Sequence, residues 1–341
     1  MKVLTFGELL LRLAAPGYTR LLQKDELEAT FCGGEANVAV SLANFGINTS
    51  FLTKLPDNDI GYAALNSLRA FGVNTANIIF GNGRMGVYYL EKGASQRPSK
   101  VIYDREYSAI ALASLNDFDW EKLLDGYDWF HWTGITPALS GTMPEILLQS
   151  LKIAKSKGIT VSCDLNYRAK LWNSERAKSV MSTLMPYVDV CIGNEEDAEK
   201  ILGIQTESND IASAKLNSQG YTSVAKTICE TYGCRYAAFT LRESYSASYN
   251  GWSGMLYNRE TSKAHFSKKY DIQIIDRVGG GDSFTGALLY GMLQQFSDQE
   301  SIEFAVAASC LKHTIEGDFN RVTVDEVKQL VMNGGNGRVV R

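Results

Sequence analysis

The chain has 341 residues, 45% hydrophobic and 21% charged, with 30 Gly and 6 Pro, enough for one large globular domain with an appendage or for two domains. A formal net charge of −4 argues against nucleic acid as the main partner, since neutralising phosphates needs a basic face. No apolar run is long enough for a membrane span, and MKVLTFGELLLRL reads as a first strand without a cleavable leader, so the cytoplasm is the expected compartment.

In chain order, the strand KVLTFG is followed by residues 10–31, which hold no helical period, and then by ANVAVSLANFG, a small-residue helix stopped at Gly46. TSFLTKL reads as a strand and IGYAALNSLRAFG as a helix, and residues 84–113 alternate like strands around a turn at 92–98. Three strand–helix pairs come next: YDWFHWTGI with MPEILLQSLKIAKSKG, ITVSCDLN with SERAKSVMSTLMPYV, and VDVCIGN with EEDAEKILG. Their alternation predicts right-handed βαβ units, hence an α/β fold with a doubly wound, mostly parallel sheet and helices on both faces. SFTGALLYGMLQQF, ESIEFAVAASCLKHT and VDEVKQLVM are the expected final helices, and the tail GGNGRVVR is expected to be loosely held. The stretches 10–31 and 84–113 are predicted to leave the sheet and form a small β-lid on one domain spanning 1–341. A two-sided lid needs cover, which points to a homo-oligomer joined through it.

Six dispersed cysteines (Cys32, Cys163, Cys191, Cys229, Cys234 and Cys310) form no C-x-x-C pair, and several stand in apolar runs, so buried thiols are expected. With three histidines in the chain, any metal should be a hard cation held by oxygen.

The chemistry concentrates in IIDRVGGGDSFTGALLYG. Gly279, Gly280 and Gly281 precede Asp282 at the start of a helix, where converging amides and the helix dipole favour an anion. On its residues alone the stretch has two readings: a glycine turn with a capping Asp, or an anion hole beside a general base for phosphoryl transfer. A Walker loop and a dinucleotide fingerprint are both absent from the chain.

The run Asp276-Arg277-Val278-Gly279-Gly280-Gly281-Asp282 resembles the D-T-x-G-A-G-D signature of the ribokinase-like (PfkB) carbohydrate kinases. CGGEANVAVSLANFG resembles their second signature, a glycine pair leading into a helix with an Asn. The resemblance implies a ribokinase-like fold, with Asp282 as base and the Gly279, Gly280 and Gly281 amides as anion hole. It places the sugar against Gly33, Gly34 and Asn37. It also implies ATP bound near Asn166, Asn194, Thr240, Arg242, Gly279 and Gly281, with Mg²⁺ held mainly by phosphates and water. Four positions depart from the family pattern, among them Cys32, which stands where a glycine is common. Arg277 replaces a small polar residue, Asp197 in NEED stands for the usual Glu near the metal water, and Arg242 replaces a common Gly.

VIYDREYSAIALASL and CDLNYRAKLW resemble segments of the 2-keto-3-deoxygluconate kinase subgroup, which implies sugar contacts from Tyr103, Arg105 and Arg168. Tyr89 and Asp318, the latter closing the strand-like run HTIEGD, are further candidates for that site. Physical reasoning agrees, because a sugar acid needs cationic donors for its carboxylate and the planar fork of Arg supplies them. Arg105 also has Asp104 and Glu106 beside it as alternative partners, and Glu8, after Gly7, reads as a turn residue. A same-fold kinase for a neutral sugar or another keto-deoxy acid, and a non-catalytic sugar-binding regulator, are the competing readings.

Overall fold

The computed structural model describes residues 1–204 and 218–334, so the tail expected to be loose falls almost wholly outside the described residues. β1 (Lys2–Phe6), β2 (Leu10–Ala14) and β3 (Glu28–Cys32) lead into α1 (Gly34–Asn44). β4 (Asn48–Leu52), β5 (Lys54–Pro56) and α2 (Asp59–Arg69) follow, then β6 (Ile79–Gly81), β7 (Gly86–Glu91) and β8 (Lys100–Asp104). The middle of the chain alternates through α3 (Trp120–Leu123), β9 (Trp129–Thr133), α4 (Met143–Ser156), β10 (Thr160–Asp164), α5 (Ser174–Leu184), β11 (Val190–Gly193), α6 (Glu195–Asp197) and α7 (Ser218–Tyr232). β12 (Tyr236–Ser244), β13 (Tyr249–Asn258), β14 (Lys263–Phe266) and β15 (Tyr270–Gln273) precede α8 (Gly280–Leu293), α9 (Asp298–Lys312) and α10 (Val324–Asn333).

The main sheet runs β14-β13-β12-β11-β10-β9-β1-β4, with β15 also on β13. From β4 to β12 every neighbour is parallel, and only the edge from β13 onward is antiparallel. Strands covered on both faces read as near-continuous apolar runs. β9 and β11 are accordingly buried at every residue. Phe6, Phe130, Trp132, Leu147 and Met181 fill one side of the sheet, and Val3, Leu42, Phe284, Leu288 and Ile302 fill the other. All six cysteines are free and buried, as expected of small apolar fillers. Among the described residues no helix is long and apolar enough to cross a membrane.

β1 pairs with β4 on one side and β9 on the other, so the chain reverses its winding direction at β1. A crevice opens at the carboxyl ends of strands at such a switch point. The lid rises beside it, because β2 leaves from the end of β1. Both excursions join in one four-stranded sheet, β3-β2-β7-β8.

The structure corrects the strand-like reading of HTIEGD, since residues 313–318 form turns after α9. The Thr314 hydroxyl donates to the Leu311 carbonyl at 2.6 Å and the Ile315 amide to the Lys312 carbonyl at 3.0 Å. Local bonding therefore outweighs the β-branched composition there.

Candidate active site

The crevice floor is built where β3 turns into α1. A Cβ at Gly33 would lie 2.1 Å from the Glu8 carbonyl oxygen, so backbone against backbone requires glycine there. Gly34 differs, because a Cβ would meet only Thr133 Cγ2 at 3.4 Å, Asp282 Oδ1 at 3.8 Å and Asn166 Nδ2 at 3.9 Å. Gly34 therefore opens onto the space these side chains enclose. Gly34→Ala should fold with its melting temperature little changed yet raise the sugar KM about tenfold, since overpacking a fitted site costs about 1–3 kcal/mol. Steady-state kinetics beside a melting curve check this, and an unchanged KM would remove the sugar from Gly34.

Glu35, in the first turn of α1, was not singled out in the sequence, where an acid at a helix start is ordinary. It is buried and accepts from the Thr133 amide (3.1 Å), the Thr133 hydroxyl (2.7 Å) and the Thr136 hydroxyl (2.5 Å). Burial raises its pKa although the threonines oppose the shift. Glu35 thereby ties α1 to the end of β9.

The second wall is the N-terminus of α8. Gly279 has φ +79°, and a Cβ there would lie 2.1 Å from the Asp318 carbonyl oxygen, so only glycine suits both conformation and contact. The amide of Gly280 bonds back to the Arg277 carbonyl at 3.4 Å. The amides of Gly279, Gly281 and Asp282 have no acceptor among the described residues, as the first turn of a helix dictates. Gly281 faces open space, so the amides border the crevice. A concave set of free donors on a helix dipole attracts a phosphoryl group.

α1 and α8 pack through Val38, Leu42, Phe284 and Leu288, which brings their N-termini together. Asn37 Nδ2 consequently donates to Asp282 Oδ2 at 2.5 Å. Burial pushes the Asp282 carboxyl up to about 7; Asn37 and Arg168 oppose that rise, while Asp318 and Glu35 add to it. A base must be ionised to accept a proton, so activity should fall tenfold per unit below about pH 7. Asn37→Ala removes a bond to the charged form worth about 1.5–3 kcal/mol, which moves the acid limb upward by about one unit or more. A limb that stays in place in the pH–kcat/KM profile would separate that limb from Asp282.

Asp164, at the end of β10, is also buried, with its pKa raised by desolvation and by Asp197 and Asp282. Asp197 accepts from the Tyr167 amide at 2.9 Å and the Asn194 amide at 3.2 Å, clamping the ends of β10 and β11 together. Its own pKa rises to about 6 through burial. Arg168 donates to the Tyr167 carbonyl at 2.9 Å and lowers the pKa of Asp164, Asp197 and Asp282, so it lies within electrostatic reach of all three. Asn166, with φ +43°, follows β10, Asn194 follows β11, and Thr240 and Arg242 lie toward the end of β12. The candidate nucleotide residues thus stand at the carboxyl ends of three adjacent parallel strands. Arg242 lies over the Trp252 ring, 5.6 Å from its centroid. Among the described residues no group of three or more His, Cys, Asp or Glu side chains could hold a metal ion.

On the lid, register decides which side chains face the core. Tyr88 pairs with Tyr103, and Arg105 continues that face two residues on. Tyr89 pairs with Ile102 on the opposite face, so the structure does not bring it to Tyr103 and Arg105. Arg105 is buried, and its Nε donates to Glu8 Oε2 at 2.7 Å while Nη2 reaches the same oxygen. Asp104 pairs instead with Arg84. Within the chain Arg105 thus meets Glu8 and not the neighbouring Asp104, and Glu8 is a buried ion-pair carboxylate where a turn residue was expected. Asp318 is also already engaged, accepting from Arg12 and, at 2.7 Å, from the Tyr88 hydroxyl. Arg12, buried, bridges Asp318 and Asp276, with 2.6 Å to the latter. That network fastens the lid to the loop before Gly279.

The chain matches the family model described as pfkB family carbohydrate kinase over residues 1–230 and 248–321. It is 31% identical to a 2-dehydro-3-deoxygalactonokinase from Haloferax volcanii across 98% of both chains. Its fold is similar to the crystal structure of 2-dehydro-3-deoxygluconokinase from Thermotoga maritima, with TM-score 0.93 and 52% identity over 98% of this chain and 100% of that one. A PfkB family carbohydrate kinase from Listeria grayi is similar too, with TM-score 0.90 and 36% identity over 98% of this chain and 100% of that one. A matched model spanning most of the chain, and an acid beside free amides at a helix N-terminus, converge on one conclusion: this chain belongs to the pfkB family of carbohydrate kinases.

Proposed function

We propose that the protein phosphorylates 2-keto-3-deoxygluconate on its terminal hydroxyl, with ATP as donor, to give the 6-phosphate. The observation that carries the reading is the position of Asp282, whose carboxyl titrates near 7 beside the free amides of Gly279 and Gly281 and across from Gly34. The sugar hydroxyl loses its proton to Asp282 as its oxygen bonds to the γ-phosphorus. The bond from that phosphorus to the bridging oxygen breaks and ADP leaves, while the amides hold the charge on the transferring group.

Arg105 and Arg168 are the cations for the sugar carboxylate, which favours an acid over a neutral ketose. The 52% identity to a 2-dehydro-3-deoxygluconokinase, against 31% to the galactonate enzyme, supports the gluconate form. Asn166, Asn194, Thr240 and Arg242 line the nucleotide side. Mg²⁺ would suit this oxygen-rich side, held mainly by the ATP phosphates and water with Asp164 and Asp197 as nearby carboxylates, and would supply charge neutralisation for the phosphates. Leu11, Leu13, Val87, Tyr89 and Ile102 leave a half-exposed apolar face on the lid, and a second copy of the chain is its proposed cover.

Coupled ADP release across keto-deoxy acids and neutral ketoses tests the assignment. The expected order has 2-keto-3-deoxygluconate first in kcat/KM, and a preference for fructose would overturn the acid reading.

A further inference from the structure

Resting on the kinase reading above, we infer that Lys312 is a positioning residue for phosphoryl transfer, a built-in cation that aims the anion hole from behind. Lys312 ends α9 and is fully buried. Its ammonium donates to two main-chain carbonyls, Asp276 at 3.3 Å and Val278. No carboxylate lies within ion-pair distance of it among the described residues, and Asp276 and Asp318 are both paired with Arg12. Burying an ammonium is costly even with the Asp276, Asp318 and Asp282 carboxylates attracting it from beyond ion-pair distance, and a Met or Leu would fill the same apolar run without that cost. The retained charge therefore needs a use.

Peptide geometry identifies that use. A carbonyl and the following N–H point in opposite directions across one planar unit. Turning the Val278 carbonyl toward Lys312 turns the Gly279 amide away from it, toward the crevice. The rest of the C-terminal half of α9 completes the cradle. Ser309 Oγ donates to the Gly280 carbonyl at 2.7 Å, and the His313 carbonyl accepts from the Ile275 amide at 2.8 Å and the Asp276 amide at 3.2 Å. The back of the glycine loop is thus tied to one helix, leaving the free amides facing forward. The ammonium behind them adds positive potential where charge develops in the transition state.

Lys312→Met keeps the volume and removes the charge and the donors. On the sugar that the native protein turns over fastest, kcat should fall about 10²-fold, the range for losing one preorganised donor, while the sugar KM stays within about threefold. In Lys312→Ala, added ammonium should restore turnover saturably and leave the native rate unaffected. A native kcat in Lys312→Met overturns the inference. So does a parallel loss of kcat, sugar affinity and melting temperature without ammonium rescue, which marks a purely structural lysine. Should the Met variant not fold, Lys312→Gln decides on the same readout: a lower kcat at constant KM supports the role, and a native kcat overturns it. A native protein inactive on every sugar fails the functional reading itself, and that result precedes any variant.

Discussion

Asp282→Asn should turn over at least ~10²-fold more slowly than the native chain, the range for losing a positioned general base, while binding its sugar with nearly unchanged affinity. The amide is isosteric with the carboxylate but cannot accept a proton at neutral pH. Asn37 can still bond to the amide oxygen at this position, so the floor between α1 and α8 is kept. The native carboxyl titrates near 7 because burial disfavours its charge and Asp318 and Glu35 add repulsion. A carboxylate at that pKa is a far stronger base than a solvated one and is still largely ionised slightly above neutrality. Every tenfold loss corresponds to about 1.4 kcal/mol of barrier, so ~10²-fold asks the base for about 3 kcal/mol, well within what proton transfer supplies. Rapid-quench phosphoryl transfer with calorimetric sugar binding separates the two quantities. Near-native turnover in the variant would remove Asp282 from the chemistry.

The parts of this arrangement that were legible beforehand are local in sequence. Strand and helix periods marked the βα units, and the run Gly279-Gly280-Gly281-Asp282 announced glycines and an acid at the start of a helix. The parts that were not legible depend on contacts distant along the chain. Arg12 meets Asp318 across 306 residues and Arg105 meets Glu8 across 97. No local pattern distinguishes such carboxylates from surface acids. Tyr88 and Tyr89 are neighbours in sequence, and only strand register shows that the first faces the core with Arg105 while the second turns outward. Lys312 was concealed differently, since a single lysine closing the apolar helix AVAASCLKH reads as a C-terminal charge favoured by the helix dipole. Only its contact with the Asp276 and Val278 carbonyls separates it from that ordinary role.

The pair Glu8–Arg105 yields the other large effect. Both side chains are almost fully buried, and both bonding nitrogens of Arg105 go to Glu8 Oε2. Glu8 Oε1 is buried without a partner among the described residues. Arg105→Ala therefore strands a carboxylate, at about 3–5 kcal/mol for a broken buried pair. That loss should appear as a lower melting temperature and as a fall of ~10²-fold or more in kcat/KM for the keto-deoxy acid. The single variant cannot divide the loss between the lid and the substrate, but the double variant can. Glu8→Ala/Arg105→Ala removes the stranded charge, so most of the melting temperature should return. If Arg105 also grips the sugar carboxylate through its remaining guanidinium donors, the keto-deoxy acid rate stays low in the double variant while a neutral ketose recovers. Equal recovery of both substrates would confine Arg105 to holding Glu8 and leave Arg168 as the cation for the acid. The ratio of the two kcat/KM values in the double variant decides between these roles, because a lid defect would slow acid and ketose alike.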